Sequence, residues 1–512
     1  MRTHLSTYIV ATCTILSLAT SLSIAADLGL PNHPPAVKGV PPGGPVFAEG
    51  RPKPPAGQTV LDPETLLTPP DDTFRIERRN NFYKKDDSDG LYRWAASGHW
   101  SNYDEARTAG WQKTIPDVLK MNSGKMVTTP DEWRTIRRPE IVKLFETYVY
   151  GKVPATAPKV VWTKNPDVDN GDGTITCSAT GKFVNADGTP FVAPAAGPGR
   201  GQGGNPNIPG AGAMLDDNAQ PFFFVAAPAG PGPAGPGAAP GGRGARGPVA
   251  GGFGGRGGRG GGGPTVSYTI PANAAGPVPL ISGGRVAGFG SVNFGITAPN
   301  VRSNPPAPDD WGSIRRYGWG ISRGIDYLET DPRVDAHQVA IQGASIGGKD
   351  ALVAGAFDER INMVAAFVSG EMGAAMSRHD WGETIDDVCQ LSSGDYCDNF
   401  QYFVGHFDQV PTDSHMLISL MAGRHLLITG GTTDQWSDPV GVFWGAYYSS
   451  PVWKLLGQKG IDEQKPPEPN NFIGEELVFY DHVGGHAVLQ PENQKNAEMI
   501  QKFFKIKPAA GK

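Results

Sequence analysis

The chain has 512 residues, with 51 acidic side chains against 45 basic ones and a formal net charge of −6. That length admits one large domain or two to three ordinary ones, and so slight an acidic balance excludes a global electrostatic pull toward nucleic acid or an anionic membrane. The ten histidines show no H-x-H or H-E-x-x-H spacing, and the four cysteines form no cluster with them, which argues against metal-dependent chemistry.

The N-terminus reads Met1-Arg-Thr-His4, then an apolar run containing Tyr8-Ile-Val-Ala and Ile15-Leu, then Ser23-Ile-Ala25-Ala26. A charged start, a hydrophobic centre and a small-residue cleavage site predict a secretory signal peptide over residues 1–26, and hence a secreted or periplasmic protein. Threonine and serine interrupt the run, which disfavours a membrane anchor, and no later segment is long and apolar enough to span a bilayer. Removing the signal takes Cys13 with it and leaves Cys177, Cys389 and Cys397, of which the last two can pair in an exported protein.

Residues 27–110 read as a leader, its first part dominated by Pro31, Pro34, Pro35, Pro41, Pro42 and Pro45. Order is expected from Thr129-Pro-Asp-Glu132, a capping box with proline at the first helical position. The helix it opens passes Trp133 and Ile136, with Pro139 as an expected interruption, and a second stretch from Ile141 ends at Gly151. Strand-like runs follow at Lys159-Val-Val-Trp162, Thr174-Ile-Thr-Cys177 and Phe222-Phe-Phe-Val225. Low-complexity tracts at about 195–213 and 228–264 flank the last of these. The second carries Gly242-Arg-Gly-Ala-Arg246 and Gly254-Gly-Arg-Gly-Gly-Arg259, but no stacking aromatic beyond Phe253. An inserted disordered loop explains it better than RNA binding does.

From Thr265 the pattern alternates in the α/β manner. Strands are expected at 266–270, 278–281 and 291–294, then a helix over 311–329 with Ile314, Tyr317, Ile321, Ile325 and Leu328 on one stripe. Val339-Ala-Ile341 is a short buried strand, and residues 351–357 form a helix. Further strands are expected at 363–368, 425–428 and 477–480, and a last helix at 491–505. The sum is a doubly wound, mostly parallel sheet.

Between strand and helix lies Gly343-Ala-Ser345-Ile-Gly347, the G-x-S-x-G of a nucleophile elbow. A serine at neutral pH needs a base, and the base needs an orienting acid, each in a loop after a later strand. His486, just beyond the last strand in Asp481-His-Val-Gly-Gly-His486, is the expected base, with His482 as the alternative. Asp434 is the expected acid, Glu371 a second possible acid, and Asp438, followed by Pro439, a helix cap.

Longer motifs point to a family. Trp133…Arg137-Arg-Pro-Glu140…Phe145…Tyr150-Gly-x-Val-Pro154, Trp311-Gly…Trp319-Gly…Ser322-Arg…Asp326-Tyr-Leu-Glu-Thr-Asp331, Ser377-Arg…Trp381-Gly-Glu-Thr384 and Asp413-Ser-His415…Trp436…Asp438-Pro439 resemble the bacterial glucuronoyl esterases, carbohydrate esterase family 15. The resemblance covers about 110–505 apart from the glycine-rich inserts. It implies an α/β-hydrolase, a three-layer αβα sandwich over residues 111–507, that cleaves esters between (4-O-methyl)glucuronic acid of xylan and lignin alcohols through an acyl-enzyme. It implies Ser345 as nucleophile, His486 as base and Asp434 as acid, with Lys349, Glu383 and Trp436 in the sugar site. It implies no cofactor and no metal, a plant cell-wall ester as substrate, no nucleic acid or membrane partner, and a monomer. Two positions depart from the pattern. Ile346 stands where the family has an oxyanion arginine, which leaves its backbone N–H as the donor, and Gly394-Asp395 stand where many members have His-Trp. The first departure motivates two other readings, an esterase on another polysaccharide acyl ester (acetyl or aromatic) and a non-catalytic carbohydrate-binding descendant.

Overall fold

The computed structural model describes residues 83–85, 92–94, 110–192, 263–403, 407 and 410–506. The expected signal peptide, most of the leader, the run Phe222-Phe-Phe-Val225, and the tracts at 195–213 and 228–264 except its last two residues lie outside them. Within the region read as a leader, β1 (Tyr83–Lys85) pairs antiparallel with β2 (Tyr92–Trp94).

The Thr129 cap forms, its hydroxyl accepting from the Glu132 N–H at 3.2 Å. Glu132 reaches one residue further back than a reciprocal box requires, accepting from the N–H of Thr128 at 2.9 Å. Pro139 does not end the helix. A π-helical turn over Trp133–Arg137 precedes it, and the chain continues as α1 (Arg138–Tyr148). Proline has no N–H to donate into the preceding turn, and the widened turn places that gap where the α register is already broken.

Eleven strands form one sheet among the described residues: β3 (Lys159–Lys164), β4 (Val168–Asp169), β5 (Thr174–Val184), β6 (Thr265–Pro271), β7 (Val278–Ser282), β8 (Gly290–Gly295), β9 (Val334–Ala344), β10 (Ile361–Phe367), β11 (His425–Gly431), β12 (Ile473–Gly474) and β13 (Leu477–His482). Their order is β12-β13-β11-β10-β9-β7-β8-β6-β5-β3, with β4 on β5. The block β8-β7-β9-β10-β11-β13 is parallel. The strands outside it pair antiparallel.

The central strands are covered on both faces, so β7 and β13 are buried at every position. On one face Val339, Ile341, Val364, Ala366, Leu426, Ile428 and Phe479 join a core shared with α2 (Ser313–Leu328), α3 (Ile346–Phe357), α5 (Ser414–Ser419) and α6 (Pro439–Leu455). A further helix, α4 (Ile385–Ser392), follows α3 in the chain. On the other face Ala340, Met363, Ala365, Leu427 and Val478 pack with Met499 and Ile500 of α7 (Gln490–Phe503). Period-two alternation thus sorts the strand residues into two cores, and the result is the three-layer αβα sandwich of an α/β-hydrolase. In α2 the expected stripe is buried at Ile314, Ile321, Ile325 and Leu328, with Tyr317 at its half-buried border. Cys177, Cys389 and Cys397 are all buried free thiols, so the Cys389 and Cys397 pairing is not made.

Several long-motif residues prove to be fasteners. Arg137 is buried and donates to the Val118 carbonyl at 2.9 Å, while Arg138 donates to the Ala356 carbonyl at 2.8 Å at the end of α3. Asp413, fully buried, accepts from the N–H groups of Ser377 and Ser414 at 2.7 Å and of Arg378 at 3.2 Å. Its carboxylate also lies 3.3 Å from the buried Arg378 guanidinium. Removing one partner of such a pair strands the other charge away from water, a loss of about 3–5 kcal/mol. Asp413→Ala is therefore expected to lower unfolding free energy by about that amount in a denaturant titration. Asp413→Asn, which keeps an acceptor oxygen, should lose less.

Candidate active site

β9 delivers Ser345 to a turn at φ 57°, ψ −126°, a conformation that non-glycine residues rarely adopt. The turn is held from both sides. The Ser345 N–H donates to the Phe367 carbonyl of β10 at 3.0 Å, and the Ser345 carbonyl accepts from Gly348 and Lys349 at 2.9 and 3.1 Å. A Cβ on Gly343 would collide with the Gly347 carbonyl oxygen, so the first glycine of the motif is fixed by close backbone approach. The serine is partly exposed. Ile346 opens α3, where helix N–H groups lack intrahelical partners, and its side chain packs half-buried against the main core.

Two strands away β11 ends at Gly431, and Asp434 follows in a turn closed by its N–H to the Gly431 carbonyl at 2.8 Å. The Asp434 carboxylate is fully buried, and its Oδ2 lies 2.6 Å from Nδ1 of His486. A proton on Nδ1 donated to that carboxylate fixes the tautomer in which Nε2 can accept one. Ser437, not singled out from sequence, places its Oγ 3.3 Å from the same nitrogen.

The alternative residues have other duties. His482 is buried with Nδ1 2.7 Å from Glu492 Oε1 and Nε2 2.8 Å from the Gly485 carbonyl. Asp438 caps α6 as expected, accepting from the Gly441 N–H at 2.8 Å, and its other oxygen lies 2.8 Å from Nδ1 of His379. Glu371 is buried, and its carboxyl is pushed well above the usual range, first by burial and then by the charges of Asp413 and Glu383, against a bond from Ser377.

Lys349 lies one helical turn after Ser345 and therefore on the same side of α3. Its Nζ sits 2.8 Å from Glu383 Oε2, both side chains being largely buried. The Glu383 N–H donates to the Trp436 carbonyl at 2.8 Å, and the Trp436 indole is half-buried. Lys349, Glu383 and Trp436 are thus linked to one another and to the turn that carries Asp434.

Backbone strain gathers here too. Ser345, Val368, Met372, Asp380 and Asp438 all have positive φ, in segments that follow β9, β10 and β11. Such conformations cost about 1–3 kcal/mol each and collect at functional sites. Pattern reading missed the pairs His379 with Asp438 and His482 with Glu492. Their partners are 59 and 10 residues apart, and neither spacing carries a motif.

Comparison with known proteins identifies the family. Residues 307–457 match the family model described as glucuronyl esterase of fungi. Carbohydrate esterase MZ0003 of an unknown prokaryotic organism is 30% identical over 412 residues, covering 76% of this chain and 88% of that protein. A 4-O-methyl-glucuronoyl methylesterase of Hypocrea jecorina is 27% identical, with 47% of this chain aligned to 55% of that protein. Among solved structures, a glucuronoyl esterase from Solibacter usitatus superposes with a TM-score of 0.54 at 25% identity, covering 76% of this chain and 97% of that one. The chain belongs to the glucuronoyl esterases, carbohydrate esterase family 15, and is a carboxylic-ester hydrolase.

Proposed function

We propose that the chain is an exported serine esterase that cleaves esters of (4-O-methyl)glucuronic acid in plant cell-wall polysaccharide through an acyl-enzyme. The observation that carries the reading is the 2.6 Å contact between buried Asp434 and His486, in the loops after β11 and β13 of the block that bears Ser345. Relatives named for hydrolysing 4-O-methyl-glucuronoyl methyl esters supply the substrate class. The charged start, apolar centre and Ala25-Ala26 of the N-terminus support export.

In this mechanism Ser345 Oγ attacks the ester carbonyl while Nε2 of His486 takes its proton, and Asp434 stabilises the resulting imidazolium. Negative charge develops on the carbonyl oxygen, where the Ile346 N–H and the N-terminal end of α3 can meet it. Collapse expels the alcohol, protonated by His486, and water then repeats the sequence on the acyl-enzyme. Lys349 and Glu383 offer a donor and an acceptor to uronate hydroxyls, and Trp436 an apolar face to the sugar ring.

Ser345→Ala is expected to fold as the wild type and to retain less than about a hundredth of its turnover on benzyl glucuronate. A p-nitrophenyl acetate control in the same assay separates a general acyl esterase from a glucuronate-selective one. Activity on neither ester would instead leave a carbohydrate-binding role.

Asp434→Asn should lower kcat by about 10⁴-fold, because the amide favours the wrong imidazole tautomer. Glu371→Gln should cost far less, since Asp434 is the carboxylate that lies against His486. The reverse ranking would make Glu371 the working acid.

Ile346→Arg adds a charge-assisted donor near the developing oxyanion, an interaction worth about 10²–10³ in turnover where it is fully realised. The expected outcome is a rise in acylation rate with little change in KM, accompanied by a lower melting temperature because the replaced side chain packs against the core. Stopped-flow acylation and thermal denaturation measure both.

A further inference from the structure

His482 occupies the last position of β13, buried, with both ring nitrogens engaged. Nδ1 faces the Glu492 carboxylate and Nε2 faces the Gly485 carbonyl. A carboxylate facing Nδ1 and a carbonyl facing Nε2 are both met when each nitrogen carries a proton, which makes the ring an imidazolium. Glu492, itself fully buried at the start of α7, accepts from the Leu489 N–H at 3.1 Å through its other oxygen. One carboxylate thereby ties together the two ends of the loop that contains His486.

The loop is clamped from β11 as well. Thr432 and Thr433 donate to the carbonyls of His482 and Gly484, both at 2.9 Å. A Cβ on Gly431 would collide with the carbonyls of Gly484 and Gly485 and crowd His482 Nε2, so only glycine lets the loop lie this close. The His482 ring is thus the side-chain link that reaches Gly485, the residue immediately before the base.

We propose that the His482 and Glu492 pair is a positioning device for His486, holding the Gly485 carbonyl through a doubly protonated imidazole. The inference rests on the reading of Ser345 and His486 as nucleophile and base. Burial opposes the charge on His482, but Glu492 and the Gly485 carbonyl outweigh it and raise the ring above the ordinary histidine range. The groups facing it are Glu492 from α7 and Asp481 from its own strand. Asp481 is pushed up to about 7, chiefly by burial and further by Asp438 and Asp434, with His482 opposing. The sign follows from the raised value. The link is complete at acid pH and is lost as pH rises through the folded-state pKa of His482, so His486 loosens on the alkaline side.

The test is the pH dependence of kcat on benzyl glucuronate for the full chain and for Glu492→Gln, His482→Gln and Asp481→Asn. Glu492→Gln keeps an acceptor for Leu489 but removes the counter-charge. It should move the alkaline limb down by about one pH unit, leaving KM within about twofold. His482→Gln should abolish that limb and lower kcat at every pH, and Asp481→Asn, whose charge contributes less than that of Glu492, should move the limb down by less than Glu492→Gln does. If His482→Gln fails to fold, the Glu492→Gln shift alone decides. An unshifted limb with wild-type kcat in the folded fraction, whatever the change in melting temperature, overturns the proposal and leaves the pair purely structural. A limb that moves further with Asp481→Asn than with Glu492→Gln overturns it in favour of that carboxyl. Ser345→Ala, run alongside, separates this from failure of the underlying reading: an active Ser345→Ala refutes the nucleophile, whereas an inactive one with unshifted limbs refutes only the positioning role.

Discussion

At Ser345 the chain must pass from a strand buried on both faces directly into a helix, and it does so through a backbone conformation that an L-residue resists. The strand before it, the β10 carbonyl beside it and the first turn of α3 after it together over-determine that conformation. The same three elements set where the hydroxyl projects and where the helix N–H groups converge. Relaxing the turn would therefore displace the Ser345 hydroxyl and the N-terminal N–H groups of α3 together. The further positive-φ residues after β10 and β11 extend this logic across the sheet, so the region that must be exact is also the region under strain.

Rigidity of that kind has to come from somewhere, and much of it comes from residues far from any reacting atom. Arg137, Arg138 and Asp413 belong to the motifs that mark the family, yet each spends its polar atoms on buried backbone groups or on a partner charge. Asp413 in particular holds the segment from Ser377 that leads to Glu383. A family signature can thus report how a site is supported more than what it touches. Ile346 is the converse case, a residue at the elbow itself whose side chain is seated half-buried against the main core.

Much of this was legible in the sequence because the central strands carry unbroken apolar runs and the elbow carries its glycines. Parallel strands at Met363-Val-Ala-Ala-Phe367 and Leu477-Val-Phe-Tyr480 need cover on both faces, and only apolar residues can supply it. The acid and base followed from chain order. Strand ends were harder: β9 begins at Val334 and β5 continues to Val184, through polar residues that are only half-buried or exposed. The π turn ahead of Pro139 and the short edge strand β12 leave almost no pattern. Buried pairs such as His379 with Asp438 were invisible for a different reason. A histidine on a loop looks the same whether its partner is water or a carboxylate, and only the fold decides.

The register of the antiparallel edge has a consequence for how Ser345 can be reached. Thr265 of β6 pairs with Gly295, the carboxyl end of β8, and β8 runs parallel to β7 and β9. Residue 265 therefore stands nearly level with Ser345, three strands across, about 15 Å at ordinary strand spacing. β5 runs past the same level to Val184 before the chain leaves the sheet. β5 and β6 thus both have an end, at Val184 and Thr265, on the side of the sheet that carries Ser345. The approach to Ser345 is bordered on this side by antiparallel strand ends, a boundary set by their register and not by the parallel block that carries the serine.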